Sequence, residues 1–206
     1  MNNLFSHEGK KKDLIKAALD LFAVKGYDGV SVRDIAKMAG VSEAALYKHF
    51  KGKEDLALNI FNAIIQEYSE RLLKVDMMPI SAVDKLCKIV AFTYDLYEMH
   101  PAEIRFTLLS QYNFWDSLSN ENKPHLIMKK IIQEGIAAGD IPRQKVYLWI
   151  AVYSGVMLQP LTQYPYFHEV LPDIQSLKKD VIKIIRKMFS GNQEIKLARN
   201  STESKL

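Results

Sequence analysis

Cysteine is nearly absent from this chain: Cys87 stands alone among 206 residues. An intrachain disulfide and a thiolate metal cage are therefore excluded, and the usage fits a reducing cytoplasm. Long apolar runs are missing as well. The strongest, VYLWIAVYSGVML at 146–158, is too short to span a bilayer and predicts a buried helix, so no membrane partner is expected. The N-terminal stretch MNNLFSHEGKKKD has no apolar segment before its lysines, and no signal peptide is expected. Nor is there a large excess of either charge. The formal net charge is +4, and residues 1–58 carry ten Lys/Arg against eight Asp/Glu. A nucleic-acid partner must therefore be argued from where particular cations sit.

Catalytic and metal-binding patterns are lacking too. His7, His49, His100, His125 and His168 are scattered along the chain. No Gly-x-Ser-x-Gly elbow, phosphate-cradling glycine loop or His-x-x-x-His spacing occurs. No catalytic residue, metal or cofactor is expected, and the chain does not read as an enzyme.

Sustained period-two alternation is absent, and most Pro and Gly fall at the edges of periodic stretches, which predicts an all-α fold. The first helix spans about 9–25, with Leu14, Ile15, Ala18, Leu21 and Phe22 on one face and Gly26 as its stop. Ser31 and Asp34 form a Ser-x-x-acid start for a helix over 31–38. Ser42 caps a third helix over 42–50, and a fourth runs from Lys53 to about Lys74. Further helices are predicted from Ser81 to about Glu98, over 102–113 after Pro101, and up to Ala138 before Gly139. A loop covers 117–124. A long helix from about Pro142 must bend or end near Pro160. The last helix, about 172–189, is apolar at Ile174, Leu177, Val181, Ile184, Ile185 and Met188. The stretch from Gly191 onward predicts a disordered tail.

Residues 31–56, SVRDIAKMAGVSEAALYKHFKGKEDL, are the informative stretch. Ala36 is small where a second helix must cross, and Gly40 allows the tight turn. Ile35, Val41, Leu46 and Phe50 supply a wedge between the two helices. This is helix-turn-helix spacing, although an ordinary helical hairpin would have it too. At 100° per residue Leu46 and Phe50 mark the buried side of the third helix. Lys48 points away from them with Ala44 and Ala45 beside it, and Ser42, Tyr47 and His49 lie on the flanks. Two alanines and a lysine make a poor core face. They do let a helix backbone sit deep in a major groove, where methyls meet thymine and Lys48 meets guanine or a phosphate. Tyr47 and His49 can donate to phosphates on the groove walls, and Ser31 and Arg33 can clamp the opposite wall. Lys53 opens the next helix, whose free N–H groups favour an anion.

The stretch, extended back through KDLIKAALDLFAVKGYDGVSV, resembles the DNA-binding module of TetR/AcrR-type bacterial transcription regulators over residues 10–58. The resemblance implies that Ser42, Tyr47, His49 and Lys53 contact phosphates and that Glu43, Ala44, Ala45 and Lys48 face bases. Ala44-Ala45 departs from the family's common Gly-Thr. Glu43 lies near the buried side of the wheel. It either complements the helix dipole or accepts from cytosine N4. The resemblance further implies an N-terminal helix-turn-helix domain, here 1–52, and a helical effector-binding and dimerisation domain, here 53–190, followed by a tail at 191–206. It also implies a homodimer through the last two long helices. The apolar 146–158 helix, with Ala151, Ser154 and Gly155 small enough for close approach, fits that interface, and equally fits a core helix in a monomer.

The aromatic-rich middle reads either as core packing or as a pocket for a hydrophobic or aromatic small-molecule effector. The pocket residues singled out are Phe92, Phe106, Tyr112, Trp115, Met128, Trp149 and Tyr153. His100 and Glu103 flank Pro101 as polar contacts or helix caps. The reading is of a cytoplasmic repressor, nucleoid-associated when bound to double-stranded operator DNA. Effector binding would shift helices around Pro101, tilt the 53–74 helix and break register with successive major grooves. A DNA-binding protein of chromosome organisation or division control would suit the same motif.

Overall fold

The computed structural model describes residues 9–119 and 123–190. All regular structure among them is helical: α1 (Lys10–Lys25), α2 (Val32–Met38), α3 (Glu43–Tyr47), α4 (Lys53–Asp76), α5 (Ala82–Met99), α6 (Pro101–Phe114), a 3-10 turn (Trp115–Ser117), α7 (Pro124–Ala138), α8 (Val146–Phe167) and α9 (Ile174–Ser190). No described helix is long and apolar enough to cross a membrane. The tail predicted from Gly191 and the domain limits within residues 1–8 lie outside the described residues.

The chain divides into two compact units. One is built from residues up to Arg71 together with Leu96–Pro124, the other from Leu72–Asp95 together with residues from His125 onward. The expected boundary at Lys53 follows the end of the helix-turn-helix. Compactness instead groups α1–α3 with most of α4 and with α6, because apolar side chains tie these helices together.

In the first unit α1 buries Leu14, Ile15, Ala18 and Phe22 as predicted, but Leu19 rather than Leu21 completes its core face. Phe22 meets Phe106 of α6 at 5.3 Å between ring centroids, and Phe61 of α4 meets Phe114 at 5.6 Å. Tyr27 lies edge-on to Phe114 at 5.1 Å. Aromatic pairs of this kind each contribute roughly 0.5–1.5 kcal/mol beyond area burial. The α1–α6 contact is thus specific rather than merely apolar. Pro101 sits at the first position of α6, where its missing N–H costs nothing. His100 Nδ1 lies 3.2 Å from the buried Glu103 carboxylate, so this pair works at the helix start.

In the second unit two buried tyrosines join α5 to α8. Tyr94 donates to the Met157 carbonyl at 3.1 Å, and Tyr153 donates to the Leu86 carbonyl at 2.9 Å. Burial pushes the Tyr94 phenol far above its ordinary value, so it stays a donor. Asp76, at the end of α4, is buried and accepts from Lys130 at 2.7 Å, while Lys85 donates to its backbone carbonyl. α8 starts at Val146, four residues after the expected Pro142, and passes through both Pro160 and Pro165 without ending. Each proline removes a helix hydrogen bond, but Met157 and Leu161 are buried on either side of Pro160 and hold the turn in place. On α9, Ile184 is exposed and Phe189 is buried instead.

Gly135 on α7 marks a close approach in this unit. A Cβ built there would lie 2.5 Å from the Ala82 Cβ and 2.8 Å from Ile141 Cδ1. The Ala82 atom is anchored to backbone and cannot yield. Gly135→Ala is therefore expected to destabilise the protein by about 1–3 kcal/mol, despite alanine's higher helix propensity. Thermal unfolding would register this as a Tm fall of at least roughly 2 °C.

Candidate nucleic-acid interface

The helix-turn-helix assembles from local rules. Ser31 caps α2 by accepting from the Asp34 N–H at 3.2 Å, and the Asp34 carboxylate accepts from the Ser31 N–H at 3.0 Å. The reciprocal pair satisfies two donors that the helix start leaves open. Hydrogen bonds from the Ser31 side chain, then from its backbone, hold the Asp34 carboxyl below its ordinary range. Gly40 takes φ 66°, and the turn closes through Val41 N–H donating to the Ala36 carbonyl at 3.0 Å. A left-handed residue here is cheap only for glycine. Ser42 then caps α3 by accepting from the Ala45 N–H at 3.2 Å. The helix is shorter than predicted and ends at Tyr47. Phe50 N–H still bonds the Leu46 carbonyl at 2.9 Å, so the turn continues to Phe50.

Leu46 and Phe50 are 0% and 4% exposed, and Tyr47 between them is 57% exposed. Ser42, Glu43, Ala44, Lys48 and His49 are exposed and Ala45 is half-buried. The outer side of residues 42–49 is therefore left bare by the protein itself. Its small side chains let a groove wall approach the backbone, and Lys48 adds a cation beside the C-terminus of α3.

Three expected contacts sit differently from the sequence reading. Glu43 is exposed rather than near the buried side, because it occupies the first helical position, where the turn opens outward. Ser31 spends its hydroxyl proton on Asp34, so it works as a cap. Lys53 donates to the Tyr27 carbonyl at 3.0 Å and lies 4.2 Å from the Tyr27 ring centre. Its ammonium is thus held by protein, with the remaining N–H donors available to an anion. Tyr27 is the residue the sequence reading missed. Its signal was its place directly after the helix-stopping Gly26. Arg33 is exposed on the first turn of α2.

The expected effector residues do not share one unit. Phe106 and Trp115 belong to the first. Phe106 is fully buried among Phe22, Phe61 and Phe114. Trp115 is half-buried. The Tyr112 side chain lies outside the described residues. In the second unit Met128 and Tyr153 are buried, and Phe92 is half-buried. Trp149 meets Phe189 at 4.9 Å and donates to the Pro142 carbonyl at 2.9 Å. Packing accounts for Phe106, Trp149 and Tyr153. A described cleft of about 430 Å³ lies in the first unit, lined by α1 from Asp20 to Lys25, by Met38, and by Pro101, Ala102 and Arg105 of α6.

These burials separate scaffold from contact surface. Leu46→Ala is expected to destabilise the protein by about 2–5 kcal/mol. Tyr47→Ala should leave helical content and Tm nearly unchanged while weakening binding to a mixed-sequence duplex. Circular dichroism melts and fluorescence anisotropy on both variants check this.

Comparison with known proteins places this geometry. The family model for bacterial regulatory proteins of the tetR family matches residues 14–60. The transcriptional repressor KstR2 of Mycolicibacterium smegmatis is 26% identical over 153 residues, covering 68% of this chain and 74% of its own. The fatty acid metabolism regulator of Bacillus subtilis is 29% identical over 137 residues, covering 64% and 71%. The crystal structure of the B. subtilis regulator FadR in complex with stearoyl-CoA matches with a TM-score of 0.72 at 24% identity, over 86% of this chain and 98% of that one. That likeness supports the fold, and the matched module is the one whose outer face stands bare. Residues 14–60 of this chain thus resemble the bacterial regulatory proteins of the tetR family.

Proposed function

We propose that this regulator is a repressor, bound to operator DNA as a homodimer and released by a small hydrophobic effector. The carrying observation is the uncovered side of residues 42–49 above the fully buried Leu46. Ser42, Tyr47, His49 and Lys53 contact phosphates, Glu43, Ala44, Ala45 and Lys48 face bases, and Arg33 steadies the opposite wall with the α2 start that Ser31 caps. The protein works in the cytoplasm, on the nucleoid when bound.

Pairing runs through α8 and α9. Leu148, Ala151, Val152, Gly155 and Gln159 recur at i, i+3, i+4, i+7 and i+11 along α8, and all are exposed. A Cβ at Gly155 would meet nothing within 4 Å. Nothing in the protomer requires glycine there, whereas a second backbone crossing closely does. Ile184 on α9 adds an exposed apolar side chain. Two recognition segments one helical turn apart, roughly 34 Å, then read two half-sites.

For the effector, the similarity to a fatty acid metabolism regulator and to a regulator holding stearoyl-CoA supports an acyl thioester as the first probe. Differential binding worth about 1–3 kcal/mol would lower operator affinity some 5- to 150-fold.

Two measurements test the reading. Genome-wide binding should return one or a few promoter sites, and stearoyl-CoA should release the protein from them where free coenzyme A does not. Dispersed binding without promoter preference overturns the regulator reading. Separately, Val152→Glu should convert a sedimenting dimer to a folded monomer. An unchanged dimer would place the interface elsewhere.

A further inference from the structure

α1 begins against its own electrostatics. Lys10, Lys11 and Lys12 occupy the first turn, where the helix dipole favours acids, and Gly9 provides no side-chain cap. Asp13 is the one acidic residue of that turn. The fold uses Lys11 against Phe50 but leaves Lys10 and Lys12 exposed, a placement that suits a partner outside the chain.

Lys11 shows where that turn sits. Its Nζ lies 5.7 Å from the centre of the Phe50 ring, and Lys11 is half-buried. The start of α1 therefore stands beside Phe50 at the end of the recognition segment, where Lys48, His49 and Lys51, its neighbours in sequence, are exposed. Lys10 and Lys12 are exposed and make no ion pair among the described residues. Lys53, by contrast, already gives one of its donors to the Tyr27 carbonyl and lies over the Tyr27 ring.

We propose that Lys10 and Lys12, positioned by Lys11 against Phe50, form a second phosphate-contacting strip that grips duplex DNA beyond the groove read by α3. The inference rests on the DNA-binding reading above and extends its footprint. The partner is a DNA backbone because the strip continues a surface already turned toward phosphates, and its charge complements one negative charge per about 1.7 Å of duplex. The contact carries no sequence information, so it raises affinity for every site alike.

The test compares the full chain with Lys10→Gln/Lys12→Gln and with Lys74→Gln/Lys88→Gln, which removes equal charge from exposed sites in the second unit. Each protein is titrated against a labelled mixed-sequence 40-base-pair duplex, and log affinity is plotted against log salt. Loss of two phosphate contacts per subunit should make the slope of the dimer shallower by about 3–4. The control pair should keep the wild-type slope. The Tm of the Lys10/Lys12 variant should hold or rise, since it loses an unfavourable dipole interaction. An unchanged slope, an equal change in the control, or a fall in Tm overturns the proposal while leaving the recognition face intact. Failure of the wild-type chain to bind any duplex overturns both.

Discussion

A helix of five residues is far too short to persist in water by itself, since nucleation costs more than so few hydrogen bonds return. α3 exists because Leu46 and Phe50 are driven into the core formed with α1 and α2, and because Ser42 closes its open end. That anchoring has a geometric corollary. Two buried positions four residues apart fix both the tilt and the rotation of the segment, so the side opposite them is fixed as well. The recognition face needs no support of its own. It can carry small alanines and an exposed tyrosine. Selection for contact and selection for folding act on different residues of one turn.

The surroundings extend the same logic. Lys53 is held against Tyr27, and Tyr27 in turn leans on Phe114 of α6. Phe22 of α1 stacks on Phe106 of the same helix. The helix-turn-helix is therefore not packed by itself. It shares an aromatic core with α6, whose first turn carries Pro101 and the His100–Glu103 pair. Any displacement of α6 must be absorbed by rings packed at van der Waals distance, and close-packed interiors pass on strain rather than damp it.

Local rules carried the sequence reading where they were strong. The Ser31–Asp34 cap, the turn at Gly40, the Ser42 cap and the buried Leu46–Phe50 pair were all legible, because each depends on residues within a few positions of one another. Long-range features were not. Nothing local says that Leu19 outcompetes Leu21 for the core, that Tyr27 receives Lys53, or that Phe106 meets Phe22 and Phe61. Aromatic residues at helical spacing do not name their partners, which lie far away in sequence. The two prolines of α8 do not end it, and Met157 and Leu161 are buried on either side of Pro160.

The crossed tyrosines of the second unit have a consequence for assembly. Tyr94 and Tyr153 reach between α5 and α8 in opposite directions, each ending on a backbone carbonyl of the other helix. Two such pins at different heights key one shaft to another, and α8 cannot spin about its axis without withdrawing both. Its angular phase is thereby locked, and with it the compass bearing of the Leu148–Gly155 stripe. A second copy meeting that stripe would inherit the bearing, so the handedness and pitch of the assembled pair are already set within each protomer.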